Sequence, residues 1–220
     1  MQKKSAKDLA YDYIRERVIS GEYKPKQKID DVQIAKELGI SKMPIREAIQ
    51  FLVSKNFLVS TPKAGTTVTE INIDDIYNLY EPLALIQGLA SRIACLSIKE
   101  DNIKDLEEIN EKMRIAIEGN NFLEMMNVDK EFHNYIIDLT GNPYIKNFSD
   151  DLLMQVQRIE VLIFNSDMSY PKSHLKHAQI IDAFRDRDDE LAGRITEDHW
   201  LNTIPEINVK SLTRLVHALK

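Results

Sequence analysis

Asp129 and His133 stand four residues apart, His177 and His199 follow at longer intervals, and all four fall on stretches with the period of a helix. Residues i and i+4 stack on one helical face, so this carboxylate and imidazole share a side with Met125, Phe132 and Ile136. His177 precedes Ile180, Ile181 and Phe184 at i+3, i+4 and i+7, and His199 follows Leu191 and Ile195 by eight and four. Three helices would each direct a polar group into an apolar interior, where leaving it unpaired costs about 1–3 kcal/mol. One divalent ion shared by three nitrogens and an oxygen would satisfy all four. The mixed donor set suits Zn²⁺, Ni²⁺, Fe²⁺ or Mn²⁺ and leaves positions open to water or a small ligand. Taken singly, each histidine is also readable as a core residue bonded to a carbonyl, and only the joint placement favours a metal. His174, one turn before His177, is a competing ligand, and His217 near the chain end reads as a surface residue.

The other chemistry-bearing segment is Asp31 to Gln50, two short helices joined by a tight turn. Gly39 supplies a left-handed end to the first helix, Ser41 is placed to cap the second, and Pro44 is tolerated in its first turn. Ile45, Ala48, Ile49 and Leu52 form a buried stripe, which leaves Met43, Arg46, Glu47 and Gln50 outward, flanked by Lys42. Such a helix fits a major groove. Phe57–Ser60 and Thr66–Thr69 are β-prone runs around Thr61-Pro-Lys-Ala-Gly65, the pattern of a hairpin with Lys63 at its tip. The unit reads as a winged helix-turn-helix.

These two segments divide the charge as well as the chemistry. Residues 1–70 carry 13 Lys+Arg against 9 Asp+Glu, whereas residues 71–220 carry 16 against 26. A basic front half suits a polyanion, and an acidic whole does not oppose this, because screening confines phosphate attraction to about 10 Å. The single Cys95 excludes an intramolecular disulfide and reads as a packed thiol. No apolar run approaches a membrane span and no apolar leader follows the N-terminal lysines, so no membrane association and a cytoplasmic location are expected.

The elements that must position these residues follow from periodicity. Residues 5–20 predict an amphipathic helix closed by Gly21, and Tyr23–Ile29 a loop or short strand. A helix capped by Asn72 should run through Ala94 with a kink at Pro82. Further helices are expected over 99–118, 121–139, 143–164, 172–187 and 189–204, with a last one ending near Leu219. The expected fold is mainly α, with a winged helix-turn-helix over 1–70 and an antiparallel all-α bundle of six or seven helices over 71–220.

In front, Gly21–Ile29, Ile34–Ser41, Pro44–Ala48, and Leu52 followed by Gly65, together with Asp129-x-x-x-His133, His177 and His199 behind, give a chain that resembles the GntR family of bacterial transcription regulators. The likeness is to its FadR-type subfamily, which carries an FCD domain, and it covers nearly the whole chain. It implies that Ser41, Lys42, Arg46 and Gly65 contact DNA and that Asp129, His133, His177 and His199 bind metal. The family commonly has arginine where this chain has Lys42 and Val32. Lysine still binds phosphate but lacks the fork that reads guanine. An arginine and a glutamate of the family's first bundle helix are replaced by Leu83 and Gln87. That arginine resembles a clamp for carboxylate effectors, so Gln87, Arg158 and Arg92 become the candidate effector contacts.

The combined reading is a homodimeric, ligand-responsive regulator, expected to repress, with double-stranded operator DNA and a small metabolite as partners. The DNA contacts are Ser41, Lys42, Arg46, Gln50, Lys63 and Gly65. Two rivals differ in class. A metal-dependent enzyme shares the three-histidine, one-aspartate set, but no HExxH and no uncommitted general base accompany it. An architectural DNA-binding protein with a purely structural bundle predicts neither metal nor ligand response.

Overall fold

The computed structural model describes residues 4–164 and 173–206. Helix α1 (Ala6–Ile19) starts at Ser5, whose hydroxyl accepts from the Asp8 amide at 3.1 Å while the Asp8 carboxylate accepts from the Ser5 amide at 3.3 Å. Gly21, with φ 72°, turns the chain after it. Helix α2 (Asp31–Leu38) is capped by Asp30, which accepts from the amides of Val32 and Gln33, and is closed by left-handed Gly39. Helix α3 (Lys42–Ser54) follows at once. Ser41 occupies its N-cap with extended backbone, yet its side chain makes no capping bond, which corrects the expected role. The first amides of α3 therefore stay available to an outside acceptor.

Strands β1 (Leu58–Thr61) and β2 (Gly65–Val68) pair antiparallel, with Leu58 opposite Val68 and Thr61 opposite Gly65. Lys63 in the turn has φ 65°. The Tyr23–Ile29 segment contributes one bridge, Lys28 to Thr67, so it is a loop that touches the wing at one rung. Ala10, Ile14, Val18, Ile34, Ile45, Ala48, Leu52, Phe57 and Val68 close one core beneath α1, α2, α3 and the wing. The stripe expected of α3 is the buried one.

Six further helices are described: α4 (Ile73–Ser97), α5 (Glu100–Glu118), α6 (Phe122–Leu139), α7 (Pro143–Phe164), α8 (Ser173–Arg185) and α9 (Asp189–Glu206). Helix α4 is assigned as one continuous helix through Pro82 and reaches three residues beyond the expected Ala94. It lies chiefly along α9 and also packs on α7, while α5 packs on α6 and α8. Glycines make room between α4 and α9: a Cβ on Gly193 would meet the Arg92 side chain at 2.6 Å, and one on Gly88 would meet Glu197 at 2.4 Å. Cys95 is a buried free thiol whose pKa is raised by burial, as expected of a packed one. The expected last helix, with His217, and the Tyr170-Pro171 break lie outside the described residues.

Head and bundle meet along one face of α7, where Asp151, Met154, Gln155 and Arg158 recur at i, i+3, i+4 and i+7. Lys55 at the end of α3 pairs with Asp151 at 2.5 Å, and Gln155 donates to the Lys55 carbonyl at 2.7 Å. Tyr11 reaches the Met154 sulfur at 3.7 Å.

Leu52 is fully buried at the centre of the head. Leu52→Ala is expected to destabilise that unit by about 2–5 kcal/mol through lost transfer energy plus a cavity. A denaturant titration following head signals should show an earlier midpoint, and an unchanged midpoint would show that the core is assigned wrongly.

Candidate functional site

Three helices bring the expected four residues together. Helix α6 supplies Asp129 and His133, α8 supplies His177 and α9 supplies His199, and one ligand atom from each lies within 4.8 Å of the others. His177 Nε2 is 3.4 Å and His199 Nε2 4.0 Å from Asp129 Oδ1, and His133 Nε2 is 3.9 Å from Oδ2. These separations are longer than hydrogen bonds, so the groups surround a common point more than they satisfy one another. The rings are held by packing: His177 stacks on Phe132 with centroids 3.9 Å apart, and His133 lies 5.0 Å from His199 and 4.7 Å from Trp200.

His133 and His177 are completely buried, and among the described residues both ring nitrogens of each lack a hydrogen-bond partner, as does Asp129 Oδ1. Five orphaned polar atoms at one point are an arrangement that a folded core avoids unless something bonds them. Burial pushes the imidazole pKa of His177 down to about 3 and that of His199 to about 4, and moves His133 well below its ordinary value. Asp129 pulls His133 and His199 the other way, but desolvation outweighs it. Neutral imidazoles beside a carboxylate are the protonation states that bind a divalent cation, so the donor set fits one. His174 is not in this cluster, and its backbone carbonyl accepts from Asn110.

A cavity of about 40 Å³ adjoins the cluster, lined by Asp129, His199, Glu160 and Trp200 among apolar neighbours such as Met125 and Met126. Glu160 is a site residue that periodicity did not reveal. Tyr80 donates to it at 3.1 Å, and burial, helped by the charge of Asp129, raises its pKa to about 8. Its sequence signal was a lone acid within the apolar run from Ile159 to Phe164. The Trp200 indole N–H is likewise buried without a partner among the described residues.

The three expected effector contacts are elsewhere. Gln87 is buried and donates to Ser149 at 2.8 Å. Arg92 bridges α4 to α9 through Glu197 at 2.8 Å. Arg158, only 2% exposed, donates to the Thr69 hydroxyl at 2.7 Å and to the Thr69 carbonyl. None of the three lines the cavity beside the cluster, because each is committed to holding helices or the head in place.

On the opposite part of the chain Ser41, Lys42, Arg46 and Gln50 are exposed along α3, and Lys63 and Gly65 are exposed in the wing. A groove of about 360 Å³ runs between them, lined by Arg46, Gln50, Gly65 and Thr66 and by Lys28, a cation outside the expected DNA contacts. Lys28 Cε would lie 3.0 Å from a Cβ at Gly65, so the glycine makes room for that side chain as well as for its own φ of 100°. Arg46 is held at 2.8 Å by Asp31. No helix among the described residues is long and apolar enough to cross a membrane.

Comparison with known proteins accords with both halves. Residues 6–68 match the model of bacterial regulatory proteins of the gntR family, and residues 78–202 match the FCD domain. The chain is 24% identical to the uncharacterized HTH-type transcriptional regulator YdhC of Bacillus subtilis, over 86% of this chain and 85% of that one. It is 23% identical to the HTH-type transcriptional repressor RspR of Escherichia coli, over 86% and 83%. The structure of E. coli McbR/YncC shares the fold, with a TM-score of 0.77 at 21% identity over 92% of this chain and 96% of that one.

The depressed imidazole pKa values fix a direction of pH dependence for chelator-treated protein. Unfolded histidines take up protons below about 6.5, whereas buried ones resist until about 4 or 3. Each contribution is therefore complete above about pH 6.5 and is lost on acidification, by up to about 1.4 kcal/mol per pH unit for each imidazole. Glu160 acts oppositely, being stabilising at low pH and losing that contribution as pH rises from its ordinary value of 4.5 through about 8. The diagnostic is thus a difference: the stability of the parent should fall more steeply from pH 6.5 to 4 than that of His177→Gln. Parallel pH profiles would contradict burial of a neutral His177.

Proposed function

This chain belongs to the GntR family of bacterial regulatory proteins and is a transcriptional regulator with an FCD domain; on that premise we propose that it is a metal-dependent, metabolite-responsive repressor. The DNA-binding unit spans 1–70 and the effector and dimerisation unit 71–220. Asp129, His133, His177 and His199 hold the divalent ion. The observation that carries this reading is their convergence from three helices with five unbonded polar atoms. The ion would supply Lewis-acid positions at which an oxygen of a small metabolite can bind. Glu160 and Trp200 line the adjoining cavity, which at about 40 Å³ must widen before they can orient a metabolite by hydrogen bonds. Repression is favoured by the likeness to a named repressor.

On the DNA side, Arg46 and Gln50 read base edges while Lys42, Lys63, Lys28 and the free amides at the start of α3 meet phosphates. Gly65 lets the wing approach closely. Asp31, which lines the same groove, accepts from Arg46 Nε and so restrains the guanidinium, which reduces the ordering cost of contact. A homodimer matches two half-sites, and the exposed Leu85, Leu89 and Leu96 on one side of α4 offer an apolar face for it. Cavity and head are linked through α7, which presents Glu160 to the first and Arg158, Gln155 and Asp151 to the second. A metabolite changes repression to the extent that it binds one head placement better than another.

Fragments selected by the purified protein from genomic DNA supply the test. Arg46→Ala should weaken binding to a selected pseudo-palindromic fragment by about 1–3 kcal/mol in mobility-shift titrations. Undiminished binding would remove α3 from the groove.

A further inference from the structure

Two large apolar side chains are exposed on α3, Met43 and Phe51. Phe51 is accounted for by packing, since its ring meets that of Tyr11 edge to face with centroids 5.3 Å apart. Met43 is different. It is 65% exposed and belongs to none of the apolar clusters of the described residues. Its position is specific as well as open. Ile45, Ala48, Ile49 and Leu52 define the buried side of the helix, and Met43, Glu47 and Gln50, at i, i+4 and i+7, run along the side opposite. Met43 thus stands in the first turn of α3, one turn before Arg46, at the centre of the face directed outward.

An apolar side chain in that place has one complement in a major groove. The base edges there present hydrogen-bond donors and acceptors, and the only alkyl group among them is the 5-methyl of thymine. A helix whose first amides meet phosphates has its first turn at the wall of the groove, and the 5-methyl group of a pyrimidine stands at that wall, beside its own backbone. The unbranched, polarizable thioether of methionine adapts its rotamer to such a small convex group. Building on the placement of α3 in a major groove, we propose that Met43 is a specificity-determining residue that reads the 5-methyl group of one thymine in each half-site, next to the bases met by Arg46 and Gln50. Burial against that methyl group removes from water the apolar surface that the free protein exposes at Met43.

Uracil in place of thymine removes the methyl group and leaves every hydrogen-bonding edge intact, so a selected fragment substituted one half-site position at a time tests this. In mobility-shift titrations of the full chain, uracil at one thymine position should weaken binding about fourfold, the value of one buried methyl group. Cytosine and 5-methylcytosine at that position should differ by the same factor, which separates the methyl group from the rest of the base. Met43→Ala, and independently Met43→Gln, should bind the thymine and uracil fragments alike. Arg46→Ala should weaken both fragments and keep their ratio, so failure of the groove placement shows in that variant and failure of the methyl contact in the Met43 variants. Three results would overturn the assignment: uracil tolerated at every half-site thymine, selected half-sites that contain no thymine, or a Met43 variant that keeps the parent's ratio.

Discussion

Three imidazoles and a carboxylate share one point in the interior of a helical bundle, and the bundle is arranged around the need to satisfy them. An orphaned buried polar group costs about 1–3 kcal/mol, and five such atoms are gathered here, so without a shared partner the cluster would consume much of a domain's net stability. Helices α6, α8 and α9 must meet at this place and in this rotation, with Phe132 and Trp200 fixing the rings. The same burial that makes the arrangement costly keeps the imidazoles neutral and therefore able to donate lone pairs.

Helix α7 touches both halves of the molecule because its residues have different contacts. Arg158 is buried and held by Thr69 just after the wing, while Glu160, two residues on, faces the cavity beside the cluster. A rotation of α7 that re-seats Glu160 must also disturb Arg158, Gln155 and Asp151, the groups on which the head rests. Burial lowers the Arg158 pKa to about 10 against the opposing charge of Asp75, and two bonds to Thr69 hold the guanidinium in place.

The sequence was most informative where one periodicity decided the outcome. Ile45, Ala48, Ile49 and Leu52 are buried as their spacing requires, and the i, i+4 relation of Asp129 and His133 placed both on the inner face of α6. Long-range partners were not legible in the same way. Arg158 and Arg92 are candidates to replace the family's clamp arginine, whose place Leu83 takes, yet Arg158 is held by Thr69, 89 residues away, and Arg92 by Glu197 on α9. Glu160 escaped notice because its partner, Tyr80, lies 80 residues away. Ser41 shows the opposite error: a capping residue type in the capping position, left unbonded.

The most direct measurement is the metal content of the purified full chain, taken by elemental analysis on the parent and on His177→Ala. One divalent ion per chain is expected, removed by chelator and restored by readdition, with a variant that retains little. A parent free of metal after exposure to Zn²⁺, Ni²⁺, Fe²⁺ and Mn²⁺, or a variant that keeps its full complement, would contradict it.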